Sequence, residues 1–144
     1  MKETPEIRAE REDSFLESRE IALAAAELAL RKKAADLVVL ELTGLTVIAD
    51  YFVICSGESI TQVKAIAEFI EEEFSRKGIR PLGIEGLDYS HWVLLDYGDV
   101  IIHVFEKETR SYYSLERLWM DAKTLEVHED TPDMGGKDKR AVRR

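Results

Sequence analysis

The chain has 144 residues, and a chain of this size can bury roughly 70% of its unfolded surface, enough for one domain with a core. Its 20 basic and 29 acidic side chains give a net charge of −9. This charge argues against direct nucleic-acid binding, because phosphate backbones are bound by clustered Lys and Arg. The single Cys55 excludes an internal disulfide, and no segment approaches the roughly 20 apolar residues that span a bilayer. We therefore expect one cytoplasmic domain without a membrane contact.

The charge is unevenly distributed along the chain. Residues 129–144 carry five basic and four acidic groups, which leaves 15 basic against 25 acidic groups in residues 1–128. The acidic excess therefore belongs to the expected domain. Such a surface suits a basic protein partner, since complementary fields speed encounter. Acidity that serves solubility alone is the alternative.

The first half of the chain alternates helical and strand patterns. Residues 1–13 are charged and without period, which predicts a flexible lead-in, and residues 14–33 predict a helix rich in Ala, Leu and Glu. Two runs of β-branched and aromatic residues, DLVVLELTG and IADYFVICSG, predict strands. Ser59 then stands before a run of apolar residues at helical spacing that Gly78 ends, which predicts a capped helix.

The second half is dominated by the run HWVLLDYGDVIIHVF, residues 91–105. Its period of two around Asp96-Tyr97-Gly98-Asp99 predicts a hairpin, with Trp92, Leu94 and Asp96 on one face. Turn-rich residues before it allow at most a short edge strand, and TRSYYSLERLWMDAK after it predicts one last helix. The expected fold is an α/β sandwich of helices on a mixed sheet over residues 14–127, with residues 128–144 as a disordered tail.

Side chains that could support catalysis are few in this sequence. Gly57 and Ser59 lie between a strand and a helix, where backbone N–H groups could hold a phosphate, but two residues make a weak motif. No paired carboxylates follow to hold metal ions, and the three histidines show no zinc spacing. We expect no metal and no cofactor. Asp96 and Asp99 flank a turn, where an aspartate usually bonds its own backbone.

Trp92 is not explained by these tests. Packing in the core is one interpretation of this residue. The other is a binding hot spot, because tryptophan is enriched at the centres of protein interfaces, where a large rigid ring loses its water.

Three blocks give the chain a resemblance to a known family. ADYFVICSGES, HWVLLDYGDVIIHVF and RSYYSLERLWMDA, in this order and spacing, are similar to the ribosomal silencing factor family, also called Iojap-like proteins. The resemblance covers residues 18–122. It implies an αβα domain related to the nucleotidyltransferase fold but without its catalytic carboxylates, and therefore not an enzyme.

The resemblance also implies a partner and a mechanism. Members of the family bind the large ribosomal subunit through its protein fourteen, a basic protein on the intersubunit face. They block joining of the small subunit and so repress translation when nutrients run short, and organellar relatives assist ribosome assembly. The contact carries over to the Trp-led strand and its turn, residue by residue: Trp92, Leu94, Leu95, Asp96, Tyr97, Gly98 and Asp99.

Two hypotheses remain open from the sequence. The favoured one is a ribosome-binding steric inhibitor, which we expect to be a homodimer when free because strand edges are exposed and the family favours it. The other is a divergent magnesium-dependent nucleotidyltransferase that uses Gly57 and Ser59 with some of Asp50, Asp96 and Asp99.

Overall fold

The computed structural model describes the backbone of residues 5–127 and the side chains of residues 18–127. The disordered tail expected over residues 128–144 lies outside the described residues. The helix α1 spans Pro5–Arg31 and begins nine residues before the predicted start, so residues 5–13 are helical rather than an irregular lead-in. These residues lack apolar periodicity, but Glu, Arg and Ala are strong helix formers, and proline suits the first helical position.

A six-stranded mixed sheet forms the centre of the molecule. Its strands are β1 Ala35–Glu41, β2 Tyr51–Gly57, β3 Gly83–Glu85, β4 Trp92–Asp96, β5 Val100–Glu106 and β6 Lys123–Leu125. The helix α2, Ile60–Arg76, lies between β2 and β3 in the chain. The spatial order is β3-β4-β5-β2-β1-β6. β2 and β5 run parallel, and every other neighbouring pair is antiparallel. The expected mixed sheet is therefore confirmed, and β3 is the short edge strand.

The helix α2 begins and ends as the sequence predicts. Ser59 takes an extended conformation, and its Oγ accepts a hydrogen bond from the backbone N–H of Gln62 at 3.1 Å. After the last turn Gly78 adopts a φ of +81°, which glycine tolerates without strain. The apolar stripe between these ends is buried against the sheet and consists of Val63, Ile66, Ala67, Ile70 and Phe74.

The two faces of the sheet are covered differently. On one face, α1 and α2 pack over a large core, and α1 contributes fully buried alanines such as Ala22 and Ala26. The other face carries a smaller cluster around Phe52 and Phe105, which Leu115 and Trp119 cover. Helical segments thus lie on both faces, which confirms the αβα arrangement. The relation to the nucleotidyltransferase fold stays a prediction.

The segment after β5 differs from its prediction. Instead of one helix it forms α3, Lys107–Tyr113, and a separate 3₁₀ helix, Leu115–Trp119. Ser114 separates them with a φ of 49° in the left-handed region, and its N–H closes α3 on the Arg110 carbonyl. The strand β6, which pairs with β1 through Val39 and Leu125, was not predicted. Its three residues are too short to show an alternating pattern.

Candidate functional site

The hairpin β4–β5 presents a different set of side chains to each side of the sheet. Trp92 lies opposite Phe105, Leu94 opposite His103, and Asp96 opposite Ile101. Trp92, Leu94 and Asp96 are partly exposed, whereas Val93 and Leu95 between them are buried on the helix side. The alternation read from the sequence is therefore confirmed. We call the exposed side of β4, formed by Trp92, Leu94 and Asp96, the open face.

Trp92 is held firmly at one end of the open face. Its indole Nε1–H donates to His103 Nδ1 at 3.1 Å. The ring stacks on Phe105 with centroids 4.8 Å apart and lies 5.0 Å from the ring of Tyr113. Trp92 nevertheless keeps part of its surface exposed. The side chain is thus neither fully buried nor free to move, because its indole N–H is fixed by His103 while part of its surface stays exposed.

His103 beneath Trp92 is a structural histidine. Its side chain is 3% exposed, and burial lowers its pKa to about 4, so the ring is neutral at physiological pH. Because Nδ1 accepts the indole proton, Nε2 carries the ring's own proton. Nε2 is buried without a hydrogen-bond partner among the described residues. The neutral ring therefore orients Trp92 and leaves one buried donor unsatisfied.

The hairpin turn is tied to its own backbone and to α2. Asp96 Oδ1 accepts from the N–H of Gly98 at 2.8 Å, and the N–H of Tyr97 donates to the Val100 carbonyl at 2.9 Å. The local bond expected for Asp96 is thus confirmed. Tyr97 packs its ring edge-on against Phe74 at 5.2 Å, and burial together with the charge of Glu71 raises the pKa of its hydroxyl.

The seven predicted contact residues therefore separate into two groups. Trp92, Leu94 and Asp96 share the open face, and Gly98 and the exposed Asp99 continue it into the turn. Leu95 is 1% exposed in the core beneath the helices, so it cannot touch a partner in this fold. Tyr97 also faces α2. Leu95 and Tyr97 therefore support the strand and the turn from the helix side of the sheet.

Asp50 and Asp99 lie next to each other beside the turn, and we call this pair the acidic corner. The backbone N–H groups of Asp50 and Tyr51 both donate to the Asp99 carbonyl, at 2.8 and 3.1 Å. Partial burial raises the pKa of Asp50, and the neighbouring charge of Asp99 raises it further. Two carboxylates are thus held close together where β2 and β5 begin, and a cation from another molecule would relieve their repulsion.

The groups invoked for a nucleotidyltransferase are far apart. Asp50 precedes β2, whereas Gly57 ends it and Ser59 follows. A strand of this length separates the two sets by about 20 Å at roughly 3.3 Å per residue. Ser59 is moreover occupied as the cap of α2. The arrangement contradicts a site in which these residues act together on one nucleotide.

Near the carboxyl end of β2, Arg110 of α3 instead links β1, β2 and the 3₁₀ helix, and the sequence alone did not reveal this residue. Its Nη1 donates to the Asp36 carbonyl at 2.6 Å and to Ser56 Oγ at 2.9 Å, and Nε and Nη2 donate to Glu116 at 3.0 and 2.6 Å. The cavity beside it, of about 420 Å³, is thus next to an arginine whose donors are already engaged. No local pattern could reveal Arg110, because Asp36 lies 74 residues away.

A second feature missed from the sequence is the loop between β1 and β2. Leu45, Val47 and Ile48 are exposed there by 48%, 102% and 60%. We call these three residues the apolar loop. The run LTGLTVIAD contained the signal, since it is apolar although it connects two strands.

None of the helices in the part of the chain that the structure describes has the length and apolar character needed to cross a membrane.

Comparison with known proteins gives consistent matches. The family model described as "Ribosomal silencing factor during starvation" matches residues 16–144. The chain is 50% identical to the ribosomal silencing factor of Bacillus subtilis over 91 residues, which cover 63% of this chain and 77% of the relative. It is 33% identical over 92 residues to mouse "Mitochondrial assembly of ribosomal large subunit protein 1", covering 62% of this chain and 40% of that protein. A crystal structure of a Chromobacterium violaceum protein superposes with a TM-score of 0.70 at 34% identity, covering 72% of this chain and 86% of that one.

Proposed function

Because the chain belongs to the ribosomal silencing factor family, we propose that it binds the large ribosomal subunit, blocks joining of the small subunit and represses translation when nutrients are limited. Family membership supports the association with ribosomes. The name of the mouse relative, "Mitochondrial assembly of ribosomal large subunit protein 1", supports the choice of that subunit. The inhibition is steric, and neither catalysis nor a cofactor takes part. The protein acts in the cytoplasm.

The partner on the subunit is a basic ribosomal protein, its protein fourteen. The observation that carries this proposal is Trp92, a partly exposed tryptophan whose N–H is fixed inward by His103. A pre-oriented ring loses little side-chain freedom on binding, and such anchors dominate interface energetics. Leu94 extends the apolar contact along the strand, and Asp96, Gly98 and Asp99 extend it into the turn.

Electrostatics support a basic partner. The chain carries a net charge of −9, and Asp50 and Asp99 lie at the same end of the sheet as the hairpin turn. Carboxylates on this chain that face cations on the partner speed association. The same carboxylates repel negatively charged molecules, including nucleic acid. The free protein is a homodimer in this proposal, with the strand edges available for pairing.

Binding to purified subunits tests the proposal. The protein should cosediment with large subunits and not with small ones, and it should reduce the fraction of joined ribosomes when both are mixed. Trp92→Ala should cost about 2–4 kcal/mol of binding free energy, mostly as faster dissociation. Its folding stability should fall by less than the roughly 3–5 kcal/mol expected for a large core aromatic.

A matched control is available on the opposite face. Phe69 is a partly buried aromatic packed on the helix-side core, with the Lys32 ammonium 4.9 Å from its ring centroid. Phe69→Ala should lower stability while leaving subunit binding unchanged. Equal binding to small subunits, or equal affinity of Trp92→Ala and the parent, would contradict the proposed contact. A rise in melting temperature with magnesium and a nucleoside triphosphate would support the enzyme hypothesis instead.

A further inference from the structure

The apolar loop is an exposed apolar cluster on a well-defined backbone. Val47 is fully exposed, and Leu45 and Ile48 are about half exposed. The loop is nevertheless held in place, since the N–H of Leu45 donates to the Leu42 carbonyl at 2.8 Å and that of Ile48 donates to Thr46 Oγ1 at 3.1 Å. Single exposed apolar residues need no explanation, but three within four positions indicate an interaction surface.

The apolar loop is continuous with the acidic corner. Asp50 follows Ile48 by two residues, and its N–H is bonded to the carbonyl of Asp99 in the hairpin turn. On the other side of that turn Leu82 is 78% exposed, and its N–H donates to the Asp96 carbonyl at 2.7 Å. Exposed apolar side chains therefore flank a group of carboxylates at one end of the sheet.

We infer that the apolar loop, Leu45, Val47 and Ile48, is a second contact element that packs its side chains against apolar surface on a basic protein. The inference rests on the proposed function, because the acidic corner connects the loop to the open face and the basic partner is the same. The contact thus extends from Trp92 along β4, around the turn and onto the loop between β1 and β2.

The charges around the loop favour this occupant over two others. Asp50, Asp96 and Asp99 would meet the anionic head groups of a lipid surface with like charge. A second copy of the chain docked through the same surface would bring the same carboxylates together. A basic protein alone offers cations for the carboxylates while its apolar atoms cover the loop. Partial burial and the charge of Asp99 also raise the pKa of Asp50, and a facing cation would relieve that repulsion.

The test compares two surface variants of the full chain. Val47→Ser combined with Ile48→Ser removes the two most exposed of the three apolar side chains in the loop. Ile60→Ser is the matched control, since Ile60 is 40% exposed and lies at the start of α2, at the opposite end of the sheet. The loop variant should bind purified large subunits about tenfold more weakly or worse, with faster dissociation and an unchanged melting temperature. The control should bind as the parent does.

Several results would overturn the inference, and the binding of the parent shows whether the proposed function fails with it. If the loop variant binds as tightly as the parent while Trp92→Ala binds weakly, the loop is outside the contact but the proposed function stands. If the parent does not bind large subunits, both fall. Binding of the parent, but not of the loop variant, to phosphatidylglycerol vesicles would assign the loop to a lipid surface. A change in sedimentation of the free loop variant would assign it to a second copy of the chain.

Discussion

Acidification from about pH 7 to about pH 5 should destabilise the fold through His103. The ring is 3% exposed, and burial lowers its pKa from 6.5 to about 4. Between these two pH values the unfolded chain binds a proton that the native ring does not bind, so the free energy of unfolding falls as the pH falls. Protonation would also remove the acceptor for the Trp92 indole N–H.

The size of the effect follows from the two pKa values. One pKa unit corresponds to about 1.4 kcal/mol, so the complete loss through His103 is about 3–4 kcal/mol, reached only below pH 4. About 2 kcal/mol of this loss falls between pH 7 and pH 5, because the unfolded imidazole is mostly protonated at the lower pH. This is a large share of the roughly 5–15 kcal/mol by which domains are stable.

Urea unfolding of the parent and of His103→Phe at both pH values measures the effect. The ring of Phe52 lies 4.6 Å from that of His103, so an aromatic replacement has apolar surroundings. His103→Phe should lose about 2 kcal/mol less than the parent on acidification, since the carboxylates titrate equally in both proteins. Equal losses in the parent and His103→Phe would refute the assignment of a buried neutral imidazole.

Three further predictions concern the scaffold. Gly86→Ala should lower the free energy of unfolding in urea by more than about 3 kcal/mol, because Gly86 has a φ of +85° and an added Cβ would collide with the Trp92 carbonyl oxygen. The control Gly44→Ala should lower it by only about 1–2 kcal/mol, because Gly44 has a similar φ of +86° but open space around it. Arg110→Met should lower stability by about 2–4 kcal/mol in the same assay, because it removes the links to β1, β2 and the 3₁₀ helix; no measurable loss would contradict the described network. Cys55 should react with a thiol reagent only after unfolding, since the side chain is completely buried and burial raises its pKa to about 12; reaction in the native state at neutral pH would contradict this.

The elements predicted well from the sequence are those whose signals are local. The cap at Ser59, the apolar spacing of α2 and the stop at Gly78 all lie within one segment, and the alternation of β4 and β5 is visible residue by residue. The start of α1 was missed because its first turns extend beyond the apolar periodicity that marked the helix. The left-handed Ser114 and the short β6 depend on contacts with distant residues, which no local pattern contains.

The candidate site was predicted in part for the same reason. The period of two already predicted that Leu95 lies on the side of β4 opposite to Trp92. Leu95 was included in the predicted contact only because of the family resemblance, and its burial excludes it from that contact. The role of His103 depends on the register that sets β4 against β5. The closeness of Asp50 to Asp99 depends on the parallel pairing of β2 with β5. Such register is set by tertiary packing, which a single sequence shows only indirectly.

The parallel pairing of β2 with β5 affects how the protein folds during its synthesis. The two central strands, Tyr51–Gly57 and Val100–Glu106, are separated by about forty residues of chain, and β1 gains its outer neighbour only when Lys123–Leu125 is available. Such non-local pairs form late, because loop-closure entropy must be overcome before the contacts exist. During vectorial synthesis the first half of the chain therefore leaves the ribosome with an unpaired edge on β2. β2 gains its second neighbour only after Glu106 has emerged, so chains interrupted before that point expose a strand edge prone to aggregation.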